Sequence, residues 1–80
     1  MKKKFIKYCN ENWSLPYYEV EKALDSIGKH FGLTDAVAGH IRDLADDFEC
    51  DNDLDDDWFY ENFDDEEDVF WELNIFKNNN

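Results

Sequence analysis

Three observations predict an all-α fold of about four short helices. Apolar residues recur at alternating spacings of three and four, Ser, Thr or Asp stands just ahead of these runs, and the one proline sits where a helix begins. Residues 2–13 fit a short helix or a short strand through Phe5, Ile6 and Tyr8, and the helix is preferred. Ser14-Leu15-Pro16 is the first clear start signal, because Ser can cap and Pro fits a first turn whose N–H groups are unpaired in any case. Tyr17, Val20, Leu24, Ile27 and Phe31 then share one face of a helix over 15–31, which Gly32 can end in the left-handed conformation.

Thr34 or Asp35 opens a second long helix over 34–49. Val37, Ile41, Leu44 and Phe48 form its stripe, with Ala38 and Ala45 beside them. The two long helices are expected to pack as an antiparallel or angled pair. Asp51–Asp57 reads as a polar connection in which Asp55 or Asp56 caps a short helix bearing Trp58, Phe59 and Phe63. Asp64 and Glu67 have the spacing of a capping box for a last helix with the stripe Val69, Phe70, Leu73 and Phe76. Val69, Trp71, Leu73 and Ile75 also alternate at period two, so the alternative is an α+β domain with a C-terminal strand at 69–76. Asn78–Asn80 should fray.

Eighty residues make a single domain, 1–80, and a chain this short struggles to bury a core. Its aromatic content of 18% compensates, since each large ring can bury roughly 150–250 Å². The net charge of −13 is unevenly placed. Residues 1–34 carry six lysines against four acids (+2), whereas residues 35–80 carry Arg42 and Lys77 against seventeen acids (−15). Such an asymmetry disfavours a nucleic-acid or anionic-membrane ligand and favours a basic partner. No apolar run approaches a membrane span, and the lysines at the start are followed by no continuous apolar segment of a signal peptide, so a cytoplasmic protein is expected. Cys9 and Cys50 then read as reduced thiols that are at least partly buried.

The stretch Asp43–Asp68 dominates the functional reading. Its 26 residues hold 15 Asp or Glu and no Lys, Arg or His, yet Phe48, Leu54, Trp58, Phe59, Tyr60 and Phe63 are threaded through them. Acidic tails without rings stay unfolded; a segment with this many rings has something to bury and holds its carboxylates on a folded surface. Laid on a continuous helix it would show a charge about every 2.6 Å of axis, against about 1.7 Å for duplex DNA. Acids at Asp46, Asp47 and Glu49, near the negative end of the second long helix, each cost ~0.3–1 kcal/mol at low salt, so solubility or binding must reward them.

Three other motifs are weaker. Ile27–Ile41 resembles a helix-turn-helix unit, but its second helix would offer Asp35, Gly39, His40 and Asp43 to the groove, where phosphate and base contacts need Arg, Lys, Asn or Gln; it reads as a packing unit. DNDLDDDWFYEN places Asp51, Asp53, Asp55 and Asp57 at alternate positions of a calcium loop, yet Asp56 stands where that loop needs Gly and Asn62 where it needs Glu. His30 and His40 lack zinc-site spacing, no Cys-x-x-Cys exists, and an exposed acidic run offers no sheltered pocket to raise a carboxyl pKa. No catalysis, metal or cofactor is expected.

In size and charge distribution the C-terminal half resembles the small acidic DNA-mimic proteins of phages and mobile elements, which inhibit restriction enzymes, CRISPR effectors or DNA-repair enzymes. The resemblance rests on no aligned motif and implies a mechanism of competition: carboxylates occupy the basic groove of a nucleic-acid-binding protein, and the protein itself binds no nucleic acid. The expected partner-binding residues are Asp43, Asp46, Asp47, Glu49, Asp51, Asp53, Asp55, Asp56, Asp57, Glu61, Asp64, Asp65, Glu66, Glu67 and Asp68, with Trp58 and Tyr60 as exposed anchoring rings. The alternative is an acidic interaction module, such as an antitoxin or adaptor, that binds a basic partner without mimicry. Oligomeric state is left open by the sequence.

Overall fold

The computed structural model describes residues 1–28 and 33–75. Five helices are delimited among the described residues: α1 (Lys2–Asn12), α2 (Tyr17–Gly28), α3 (Asp35–Asn52), α4 (Trp58–Asn62) and α5 (Glu66–Glu72). No strand occurs among the described residues, and the all-α prediction holds. The preferred helix over 2–13 is α1. The alternative of a strand from Val69 is overturned, because Val69–Glu72 lie in α5 and only Leu73 after them is extended. No described helix is long and apolar enough to cross a membrane.

α3 is the spine on which α1, α2 and α5 pack. Its buried face comprises Val37, Ile41, Leu44, Ala45 and Phe48, the predicted stripe. Thr34 caps it, the hydroxyl accepting from the Val37 N–H at 3.4 Å. It continues three residues past the expected end at 49 and stops at Asp53, whose φ of 54° puts it in the left-handed region. The N–H groups of Asp53 and Leu54 both donate to the Glu49 carbonyl, and Leu54 folds back against the core, as in a Schellman stop.

Phe5 of α1 is fully buried and sits at the centre of the ring cluster. Its centroid lies 5.3 Å from Phe48, 5.1 Å from Trp58, 6.2 Å from Phe59 and 5.6 Å from Phe63, all in edge-to-face arrangements. Cys9, one turn on, shares that face, and burial pushes its thiol pKa up to about 12, whereas Cys50, expected to be partly buried as well, is exposed on α3. Among the residues of α2 whose side chains are described, Val20 and Ala23 are buried and Leu24 is half-buried; Tyr17, expected in the stripe, projects beyond the core and is 62% exposed. Phe31 and Gly32, the turn of the helix-turn-helix-like unit, His30 and the chain from 76 onward lie outside the described residues.

Three helices finish in the same way. Asn12, Asn52 and Asn62, the last residues of α1, α3 and α4, each donate their side-chain amide to the carbonyl four residues back, on Tyr8, Phe48 and Trp58, at 2.9, 3.0 and 2.8 Å. Each of these carbonyls opens the last turn of its helix, and the amide adds a second donor to the one that the helix's own backbone N–H supplies there. No basic residue stands in the last turn of any of these helices. A neutral amide does there what Lys or Arg often does, and it adds no positive charge.

Candidate acidic interaction surface

The segment 43–68 sorts its residues by face. Leu44, Ala45, Phe48, Trp58, Phe59 and Phe63 are buried, while Asp43, Asp46, Asp47, Asp51, Asp53, Asp55, Asp56, Asp57, Tyr60, Glu61, Asp64 and Asp65 are exposed. On α3 this follows from helical spacing: Asp43, Asp46 and Asp47 stand at i, i+3 and i+4, opposite the buried stripe. The acids are therefore carried by a packed scaffold and spaced by its backbone.

The residues that follow continue the surface around the end of α3. Asp55 Oδ1 accepts from the Asp57 N–H at 3.2 Å, tightening the turn that delivers α4. Asp57 occupies the N-cap position of α4 without a side-chain capping bond, so neither Asp55 nor Asp56 caps that helix as expected. The capping of α5 is shifted by one residue from Asp64 and Glu67. Asp65 is the N-cap and accepts from the Asp68 N–H at 3.1 Å, while Asp68 Oδ2 accepts from the Asp64 N–H at 2.9 Å. The reason is local: a third acid in the first turn offers a second register for the same box.

Trp58 corrects the expectation of an exposed anchor. It is 3% exposed and enclosed by Phe5, Phe48 and Phe59, so it supports the surface from beneath. Tyr60, 57% exposed, is the ring that α4 presents outward. Glu66, Glu67 and Asp68 are half-buried and engaged internally: Glu66 pairs with Arg42 Nε, Glu67 accepts from Trp71 Nε1 at 3.3 Å, and Asp68 takes part in the cap. The surface available for outside contact thus centres on Asp43 to Glu61, with Asp64 and Asp65 at its margin.

Arg42 is the functional residue that sequence reasoning passed over. The carboxylate of Glu66, and after it the hydrogen bond that Arg42 donates to the Tyr60 hydroxyl, raises its pKa, so it stays cationic and ties α3 to α5. The signal was present, as Arg42 is the only cation between Asp35 and Asp68. Around it α3, the turn at Asp56 and α4 enclose a cleft of about 210 Å³ lined by Asp46, Glu49, Asp56, Phe59, Tyr60 and Glu66 together with Ala45 and Arg42. At the other margin Lys2 pairs with Glu72 at 2.7 Å, and that bond, with the nearby charges of Glu72, Asp68 and Asp64, raises the lysine pKa.

The calcium-loop comparison finds no support in the geometry. Asp51 belongs to the last turn of α3 and Trp58 opens α4, so the segment spans two helices and a turn. No three of the described His, Cys, Asp and Glu residues are placed to hold a metal ion. No family model, curated protein or solved structure matches this chain.

Proposed function

We propose that this protein is a cytoplasmic inhibitor that imitates nucleic acid and occupies the basic DNA- or RNA-binding groove of a defence or DNA-processing protein, in the manner of anti-restriction or anti-CRISPR proteins. The observation that carries the reading is the acidic face that begins on α3 and continues through the turn after it. From Asp43 to Asp51 five acids occupy nine residues, about one charge per 2.7 Å of helix axis, which approaches the roughly 1.7 Å of a duplex. Asp43, Asp46, Asp47, Asp51, Asp53 and Asp56 have no ion pair among the described residues, so their charge faces outward uncompensated. The ring cluster beneath holds the spacing, which a flexible acidic tail cannot do.

Competition tests the reading. Binding of this protein to the partner should exclude a DNA or RNA duplex from it, and the association rate should fall steeply as added salt shortens the Debye length below ~10 Å. A stable ternary complex of partner, nucleic acid and this protein would refute mimicry. It would favour an interaction module that binds a basic partner elsewhere, a reading to which Tyr17 and Tyr18, exposed on α2, lend some weight.

A further inference from the structure

The cleft between α3 and α4 has properties that the rest of the acidic surface lacks. Its volume of about 210 Å³ falls below the ~300–1,000 Å³ of small-molecule sites, so it suits one side chain better than a metabolite. Its charge is unbalanced. Glu66 answers Arg42, and Asp46, Glu49 and Asp56 have no ion pair among the described residues, which leaves three carboxylates around a space of side-chain size. A cation is the complementary occupant. A bare metal ion is a poor fit, because no three of the described acids are placed to hold one, and part of the lining consists of the Phe59 and Tyr60 rings.

Arg42 shows which cation suits these walls. Its guanidinium engages a carboxylate, that of Glu66, and the hydroxyl of Tyr60, and its side chain is 61% exposed along one side of the cleft. A planar guanidinium can fork onto carboxylates while its face lies on an aromatic ring; an ammonium offers a point charge and no face.

We propose that the cleft is a socket for one arginine side chain of the basic partner, gripped by Asp46, Glu49 and Asp56 against Tyr60. The inference rests on the reading of the acidic face as a partner-binding surface and names the residue type that anchors there. Such a socket sets register: the remaining carboxylates then meet the partner at fixed distances from one seated side chain.

The test is an NMR titration of the intact protein with end-blocked Gly-Arg-Gly and, separately, Gly-Lys-Gly. The expected result is a set of amide shifts confined to residues around 42–49 and 56–61, with the arginine peptide bound several-fold more tightly. Asp46→Asn with Asp56→Asn should weaken it at least about tenfold, because two of the three gripping carboxylates lose their charge-assisted contact. Asp51→Asn with Asp53→Asn, outside the cleft, should leave it within about twofold. Shifts spread evenly over 43–68, equal affinity for the two peptides, or no binding of the arginine peptide would each overturn the socket, while leaving exclusion of nucleic acid by the whole surface to its own experiment. Conversely, a ternary complex would end mimicry without touching a socket found by this titration.

Discussion

Replacing Phe5 by alanine tests whether the acidic surface depends on a ring from the other end of the chain. Phe5 is fully buried and meets four aromatic partners on α3, on α4 and just after it. Removing a buried phenylalanine costs ~3–5 kcal/mol. A domain of this length has in total about 4–12 kcal/mol, from roughly 0.05–0.15 kcal/mol per residue. Phe5→Ala should therefore consume about a quarter or more of the stability and leave a population of unfolded chain visible without denaturant if the parent lies at the low end. Phe5→Leu keeps much of the apolar area and loses the ring contacts. Those are worth ~0.5–1.5 kcal/mol per pair at most, and they re-form partly among Phe48, Trp58, Phe59 and Phe63, so a loss of about 1–2 kcal/mol is expected. Urea unfolding followed by far-ultraviolet circular dichroism reads both, with Lys7→Ala on the exposed side of α1 as the control that should stay within about 0.5 kcal/mol. If Phe5→Ala unfolds within about 1 kcal/mol of the parent, the placement of α1 at the centre of the ring cluster is refuted.

Further outcomes follow from the backbone and from one histidine. A Cβ added at Gly39, in the second turn of α3, meets nothing within 4 Å, so Gly39→Ala should stabilise the fold by about 1 kcal/mol in the same assay, and a loss would mean that the site is crowded. Asp53 stands in the left-handed region at the negative end of α3; Asp53→Gly removes both penalties and should raise stability by about 1 kcal/mol, with a drop in the urea midpoint arguing against that conformation. His40 Nε2 accepts from the Ser14 N–H at 3.3 Å and its ring stands edge-on to Trp13, so the folded chain favours the neutral imidazole. Burial lowers its pKa from the ordinary value near 6.5, and Asp43 opposes the shift only in part. The His40 contribution is thus complete above pH ~6.5 and is lost as the pH falls toward the lower folded value, because the unfolded chain takes up the proton more readily. The difference in urea midpoint between the parent and His40→Gln should shrink between neutral pH and pH ~5.5; an unchanged difference would show that the Ser14 contact carries no proton linkage.

The long helices were the legible part of the fold, and α3 shows why. Four apolar residues at helical spacing and a threonine cap leave one solution for Val37, Ile41, Leu44 and Phe48. Phe5 was the least legible. A helix of eleven residues shows one short stretch of pattern, Phe5 and Cys9, and its importance comes from rings more than forty residues away in sequence. For the surface, composition located the acids but could not divide them. Trp58 and Tyr60 lie two apart on a short helix, and which of them turns inward depends on where Phe5 and Phe48 stand. Glu66 to Asp68 likewise read as free charge, although Arg42, Trp71 and the α5 cap engage them.

The asparagines that close α1, α3 and α4 give the molecule a chemical clock. Hydrolysis of a side-chain amide turns a donor into an acceptor-only carboxylate. At Asn12, Asn52 or Asn62 that carboxylate would face the carbonyl the amide had been bonded to, with repulsion where there was attraction. Each event also adds one negative charge, so full conversion of the three would take the net charge from −13 to −16. Asparagine is among the residues depleted from proteins built for heat, and here it holds three of the five helix ends. Aged protein should therefore migrate as a more acidic ladder in isoelectric focusing while its helices loosen from their C-terminal ends. Storage history then becomes a variable in any measurement of this surface, because a chain that gains charge by ageing loses some of the order that gives the charge its spacing.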